Sequence, residues 1–163
     1  MFPTKVLLAT DGSEDAAVAA RIALEIAVKT GAELHVAYVE YLPPAIDYEM
    51  KRITEANIED KKKMAEGFLT AQTKLIEDAG GNVAEAHLRM GSPDKEIVAL
   101  AEKLRVSLIV LGSRGLGGLR RALMGSVSDS VVRHAHCPVL VARRAGEEGE
   151  SASTRQGRGV RET

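Results

Sequence analysis

Short apolar runs alternate along this chain with longer amphipathic stretches, and the alternation continues to about residue 144. "KVLLAT" (residues 5–10) is a compact apolar run and predicts a buried strand. Behind it, "DGSEDAAVAARIALEIAVKTG" brings Ala16, Ala20, Ala23, Leu24 and Ala27 onto one helical face. Ser13 is placed to cap that helix, Glu14 and Asp15 suit its positive end, and Gly31 closes it. A second strand is predicted over "ELHVAYV" (33–39), followed by the proline-bearing "EYLPPAIDYEM", a connection too irregular for either regular element. A long helix then carries Met64, Phe68, Ala71 and Leu75 on one stripe and ends at Gly80 and Gly81. The remaining pattern predicts a strand in "NVAEAHLR", a turn at "MGSP", a helix in "DKEIVALAEKL" and a strand in "VSLIVLG". "SVSDSVVRHA" follows as a helix and "CPVLVA" as a fifth strand.

Strands that alternate with helices build parallel βαβ units, and right-handed crossovers leave few ways to assemble them. The expected fold is α/β, a single doubly wound five-stranded parallel sheet with helices on both faces, formed by residues 1–144. Residues 145–163, "AGEEGESASTRQGRGVRET", are polar and lack any apolar period, the composition of a disordered tail.

Composition removes several function classes. A net charge of −1 gives no global field to gather nucleic acid or anionic membrane. Aromatic residues are 3% of the chain and Trp is absent, which argues against a base-stacking surface for single strands. The lone Cys137 excludes an internal disulfide and fits a reducing compartment. The opening "MFPTKVLLATDGSE" has too short an apolar stretch for a signal peptide, and no run reaches transmembrane length. A cytoplasmic protein without nucleic-acid or membrane partners is expected.

The candidate chemistry lies in "GSRGLGGLRRALMGS" (112–126), five glycines in fifteen residues between the fourth strand and the last helix. Glycine this dense costs backbone entropy, so the alternatives are a tight turn, a flexible linker or a backbone that must approach an anion. A helix N-terminus offers unpaired N–H groups and partial positive charge, a ready phosphate site, and Gly125 and Ser126 fall where the last helix begins. Gly112 and Gly115 would let the chain turn close to the ligand, with Arg114, Arg120 and Arg121 adding charge. The loop is no P-loop, because Met124 precedes Gly125 and no lysine is present, and it fails the dinucleotide fingerprint at Arg120. A second signal is Asp11, at the carboxyl end of the first strand. If strands one and four are neighbours, Asp11 and the loop share one crevice, with an acid for ribose hydroxyls and amides for phosphates.

With these residues in view, the chain resembles the universal stress protein family over roughly residues 3 to 144. The family motif G-x2-G-x9-G-(S/T) matches Gly112, Gly115, Gly125 and Ser126, and "ATDGSEDA", "GSPDKEIV" and "CPVLVARR" resemble family landmarks. The resemblance implies the adenine nucleotide alpha-hydrolase-like strand order 3-2-1-4-5 and binding of an adenine nucleotide, ATP with Mg2+ on its phosphates. It implies that Ala9 and Asp11 contact adenosine, that the Val36 backbone reads the adenine edge and that Gly112 borders the ribose. Gly115, Gly125, Ser126 and Val127 would hold the phosphates. Ala9 stands where some ATP-binding members have proline. Residues 138–142 would form a sheet edge, uncharged and apolar, that pairs with its two-fold copy in a homodimer. A regulatory, stress-response role with a protein partner follows; a slow ATPase in the same pocket and a nucleotide-independent interaction module are the alternatives.

Other residues have plainer readings. In "HAHC" (134–137), His134 and His136 straddle a helix-to-strand junction and would diverge, so no metal site is expected there, and Cys137 packs as a small hydrophobe. His35 and His87 fall in predicted strands as core-edge residues without a triad partner. "EDKKKMAEG" is the solvated face of an amphipathic helix, and the Pro43–Pro44 segment and Met90 are either cover for the nucleotide or plain connection.

Overall fold

Val6, Leu7 and Leu8 are all fully buried, which is possible only for a strand covered on both faces. That strand lies at the middle of the sheet in the computed structural model, which describes residues 2–43, 48–115 and 124–144. The elements run β1 (Lys5–Ala9), α1 (Glu14–Thr30), β2 (Glu33–Tyr41), α2 (Tyr48–Asp78), β3 (Val83–Gly91), α3 (Pro93–Leu104), β4 (Leu108–Gly112), α4 (Ser126–His134) and β5 (Val139–Ala142). All five strands are parallel and lie in the order β3-β2-β1-β4-β5. Both the doubly wound α/β class and the implied strand order are therefore observed.

Alternate side chains of the central strands feed two cores. Val6, Leu8, Leu34, Val36 and Val110 pack with the alanine face of α1 and with Leu69 and Ile76 of α2. Leu7, Ala9, Ala37, Ile109 and Leu111 pack on the other side with Ile97, Leu100 and Ala101 of α3 and Val131 of α4. In α1 the buried row is Ala16, Ala19, Ala23 and Ala27, residues small enough to let the helix lie close to the sheet. Ser13 caps it, its Oγ accepting from Ala16 N at 3.2 Å, and Gly31 ends it at φ 70°, as expected.

Two expectations change. β2 continues to Tyr41 and β3 to Gly91, so part of the irregular connection and the first half of the "MGSP" turn are strand. Pairing supplies the reason: Glu40↔Met90 and Tyr41↔Gly91 extend the ladder beyond the apolar pattern. The connection also loses its last three residues to α2, which begins at Tyr48. The second change is the face of α2. Met64 and Leu75 are 77% and 64% exposed, and Ala71 is exposed, whereas Ala65, Leu69 and Ile76 are buried with Phe68 half-buried beside them. Apolar residues occupy two adjacent rows of this helix, and only its seat on β2 and β3 selects between them.

Leu69→Ala should therefore cost about 2–4 kcal/mol in chemical denaturation, while Leu75→Ala should stay within about 0.5 kcal/mol of the parent. Equal losses would return the packed face of α2 to the row that includes Met64 and Leu75.

Candidate functional site

Because β1 and β4 are neighbours with Ala9 opposite Leu111, their carboxyl ends open side by side. Helices leave this point toward opposite faces of the sheet, so a crevice forms at the switch in strand order. Thr10, Asp11 and Gly12 come from the β1 side; Ser113, Arg114 and Gly115 come from the β4 side.

Asp11 turns back on its own chain, its Oδ1 accepting from Ser13 N at 2.9 Å. Its other oxygen faces Gly115 so closely that a Cβ on that glycine would stand 2.6 Å from Oδ2. The two sequence signals, 104 residues apart, thus meet at one point. Gly112 answers a different need: a Cβ there would stand 2.7 Å from Ala16 N, so this glycine lets the first turn of α1 lie directly on the end of β4. Ala9 is buried at the end of β1, between Ala37 and Leu111.

Ser113 organises the β4 side. It is 1% exposed, its N–H donates to Ala142 O at 2.7 Å, and its Oγ donates to Asp15 Oδ2 at 2.6 Å. Its carbonyl accepts from Gly125 N at 2.7 Å and from Ser128 Oγ at 2.9 Å. Ser13 adds a cross-link, donating from Oγ to Arg114 O at 3.0 Å. The Asp15 carboxyl also accepts from Arg144 N at 3.0 Å. Desolvation alone would raise it, but the Ser113 and Arg144 hydrogen bonds and the Arg114 charge hold it below the ordinary carboxylate range.

Gly125 is the N-cap of α4, and among the described residues no side chain caps that helix. The Gly125 amide is committed to Ser113, which leaves the first-turn amides of Ser126 and Val127 as the donors aimed out of the helix. A Cβ on Gly125 would stand 3.0 Å from Ser113 O, so the approach of the two loop ends leaves little room for a side chain. Arg114 Nε is buried and has no hydrogen-bond partner among the described residues. Donors without partners, beside an uncapped helix start, form an arrangement that accepts an anion.

On the β2 side the structure shows a wall that the sequence reading missed. The rings of Tyr38 and Phe68 pack at 4.5 Å, and a Cβ on Gly12, at φ 77°, would touch the Phe68 ring at 2.9 Å. Thr10 Oγ1 donates to Gln72 Oε1 at 3.3 Å, tying α2 to the end of β1. Burial, then a 2.9 Å hydrogen bond to Glu40 and the charges of Glu40 and Asp11, push the Tyr38 hydroxyl up to about 12. Tyr38 could have been found from its place two residues after Val36, near the carboxyl end of β2; nothing in the sequence pairs it with Phe68. Val36 itself is fully buried in mid-strand, between Leu8 and Ala86.

The "HAHC" residues diverge as expected: His136 Nε2 pairs with Glu102 Oε1 at 2.7 Å, and His134 Nδ1 lies 2.8 Å from Ser130 O. Burial raises the Cys137 thiol above its ordinary range. Arg120 and Arg121, Pro44, and the tail 145–163 lie outside the described residues. Among those residues no helix is long and apolar enough to cross a membrane.

Comparison with known proteins agrees with this fold. The profile of the Universal stress protein family matches residues 3–143. A universal stress protein of Methanocaldococcus jannaschii is 36% identical over 144 residues, covering 88% of this chain and 84% of that protein. Among solved structures, a universal stress protein in complex with cAMP superposes with a TM-score of 0.66 at 26% identity, over 87% of this chain and 98% of that one. A universal stress protein family protein from Arabidopsis thaliana with AMP bound gives 0.60 at 25% identity, over 92% and 97%.

The lowered Asp15 carboxyl yields a signed pH effect. Its contribution to stability is complete above the unfolded value, about pH 4, and is lost as pH falls through the lower folded value. Asp15→Ala should cost about 1–2 kcal/mol at pH 7, and the gap to the parent should close below about pH 4 in denaturant titrations run across pH. A gap that does not change with pH would mean the loss is packing alone.

Proposed function

The chain belongs to the universal stress protein family, and on that premise we propose that it binds an adenine nucleotide, ATP carrying Mg2+ on its phosphates, in the crevice between β1 and β4. The observation that supports the reading most is the contact of Asp11 with Gly115, a carboxylate close to the chain that leads on to the start of α4. Ribose hydroxyls donate to Asp11, with Ala9 and Gly112 as the floor. The phosphates lie along the Gly115 and Gly125 backbone and take the Ser126 and Val127 amides, the Ser126 hydroxyl and Arg114 Nε. The adenine enters between Asp11 and the Tyr38–Phe68 pair, toward the Val36 peptide that the family resemblance implies. The cAMP and AMP complexes of its structural neighbours support the same ligand class here. The loaded protein then acts as a regulatory signal in the stress response, read by a partner in the cytoplasm, a compartment that suits the single free Cys137.

The reading includes a homodimer through β5. That strand is an outermost strand of the sheet, and residues 138–142 carry no charge to discourage pairing. Antiparallel association with a two-fold copy satisfies its outer backbone groups and closes the assembly.

Calorimetric titration of tag-free protein with ATP, ADP, AMP and cAMP tests the site. Gly125→Val should weaken nucleotide binding about 5- to 150-fold, the equivalent of about 1–3 kcal/mol of lost phosphate contact. Gly115→Ala should weaken it in the same direction by displacing Asp11. Unchanged affinity in both variants would sink the assignment.

Light scattering behind a sizing column tests the dimer. The full chain and a chain ending at Arg144 should both run as dimers at micromolar concentration. Two monomers would refute edge pairing, and a dimer from the shortened chain alone would identify residues 145–163 as a guard of the edge.

A further inference from the structure

The same short pattern, Glu-x-His, occurs on two neighbouring strands: Glu33-Leu34-His35 on β2 and Glu85-Ala86-His87 on β3. Parallel pairing sets His35 opposite Glu85 and Ala37 opposite His87. Alternation along each strand therefore turns all four side chains to one face, the face that α3 covers. Sequence reading noted the two histidines singly and missed the carboxylates, because residues about 50 apart give no sign of sharing a register.

The rings of His35 and His87 stack with centroids 5.3 Å apart, and His35 Nδ1 lies 3.0 Å from His87 Nε2. Glu85 Oε2 is 3.8 Å from that same His87 nitrogen. Among the described residues, His35, Glu85 and His87 form the single cluster whose ligand atoms all lie within 4.8 Å of one another. Two nitrogens bound to one tetrahedral zinc at about 2.0–2.1 Å stand about 3.3 Å apart, so the spacing of the imidazole nitrogens is close to that of two ligands on one cation.

Protonation leaves this cluster incomplete as it stands. The Nδ1–Nε2 contact takes one proton, and whichever ring donates it, His35 Nε2 is buried with no hydrogen-bond partner among the described residues. The His35 side chain is only 6% exposed. Glu33 Oε2 waits 3.5 Å from that orphan nitrogen, where it also meets Lys5 Nζ at 3.5 Å. A cation on His35 Nδ1 fixes the proton on Nε2, facing Glu33, the outer carboxylate that metal-bound histidines characteristically have. The cations near the cluster are Lys5, Lys103 and Arg89, and Arg89 is held by Glu96 at 2.8 Å. Glu33 and Glu85 are 57% and 63% exposed, so the site has an open mouth of negative charge over a buried pair of nitrogens.

We propose that His35, His87 and Glu85 bind a divalent d-block cation of the zinc class, with Glu33 orienting His35. Two imidazoles and one carboxylate suit zinc and its neighbours over the hard oxygen-seeking cations. The ion would brace β3, the other outermost strand, to β2 from the face away from Tyr38 and Phe68. This site is separate from the nucleotide crevice and stands or falls without it.

The test uses full-length, tag-free protein stripped of metal by a chelator. Zinc titration against a chromophoric competitor should give one equivalent per chain, and Co2+ should develop the visible bands of a tetrahedral site. Glu85→Gln and His87→Gln should lower zinc affinity by at least about 10-fold and about 100-fold, and Glu33→Gln by about 10-fold. His134→Gln, a surface histidine, should leave it unchanged. Zinc should also raise the melting temperature of the parent but not of His87→Gln. Glu85 is exposed, so its variant keeps the fold and keeps the test decisive if the histidine variant does not fold. Absence of binding at micromolar zinc, or binding untouched by both Glu85→Gln and His87→Gln, overturns the proposal.

Discussion

The elements around the crevice depend on a single buried residue, Ser113. Its amide joins the end of β4 to the end of β5, its hydroxyl joins β4 to the first turn of α1, and its carbonyl gathers Gly125 and Ser128 at the start of α4. Each of these groups would be costly to bury without a partner, so the four bonds support one another. The consequence is positional. An uncapped helix start is a common feature, but here it is fixed relative to Asp11 because α1 and α4 are tied to the same residue. Gly112 is a condition of this arrangement, since any larger residue would lift α1 from the strand and take Asp15 out of reach of Ser113.

Much of the fold was legible because the central strands β1 and β4 are apolar on both faces. A run such as "VLLA" has no reading as a solvated element, and the capping residues of α1 mark its ends without ambiguity. The face of α2 was not legible, because Met64, Phe68, Ala71 and Leu75 make as regular a row as Ala65, Leu69 and Ile76, and periodicity cannot weigh one against the other. The strand ends were misplaced for a related reason. Glu40, Tyr41, Met90 and Gly91 owe their conformation to one another across the sheet, which no local pattern records.

The candidate site was legible in outline and not in detail. Glycine spacing and Asp11 pointed to one crevice, and their contact is observed, but the glycines turn out to do different work. Gly112 admits a helix, Gly115 admits a carboxylate and Gly125 admits a carbonyl. The aromatic wall of Tyr38 and Phe68 and the histidine pair on the opposite face share one cause of invisibility. Both are contacts between residues 30 and 52 positions apart that acquire meaning only through register.

The parallel sheet also governs how the molecule would carry a load. Thr4 is anchored to Ser107 at the amino rim, while Arg144 is anchored to Asp15 and Glu14 at the carboxyl rim. Tension applied between these two points runs along β1, β4 and β5 and not across them. The ladders Val6↔Leu108 to Ala9↔Leu111 and Ile109↔Val139 to Gly112↔Ala142 would then be strained in shear, with all their hydrogen bonds loaded at once. A hairpin pulled open from one end gives way one bond at a time; this sheet has to slide as a block.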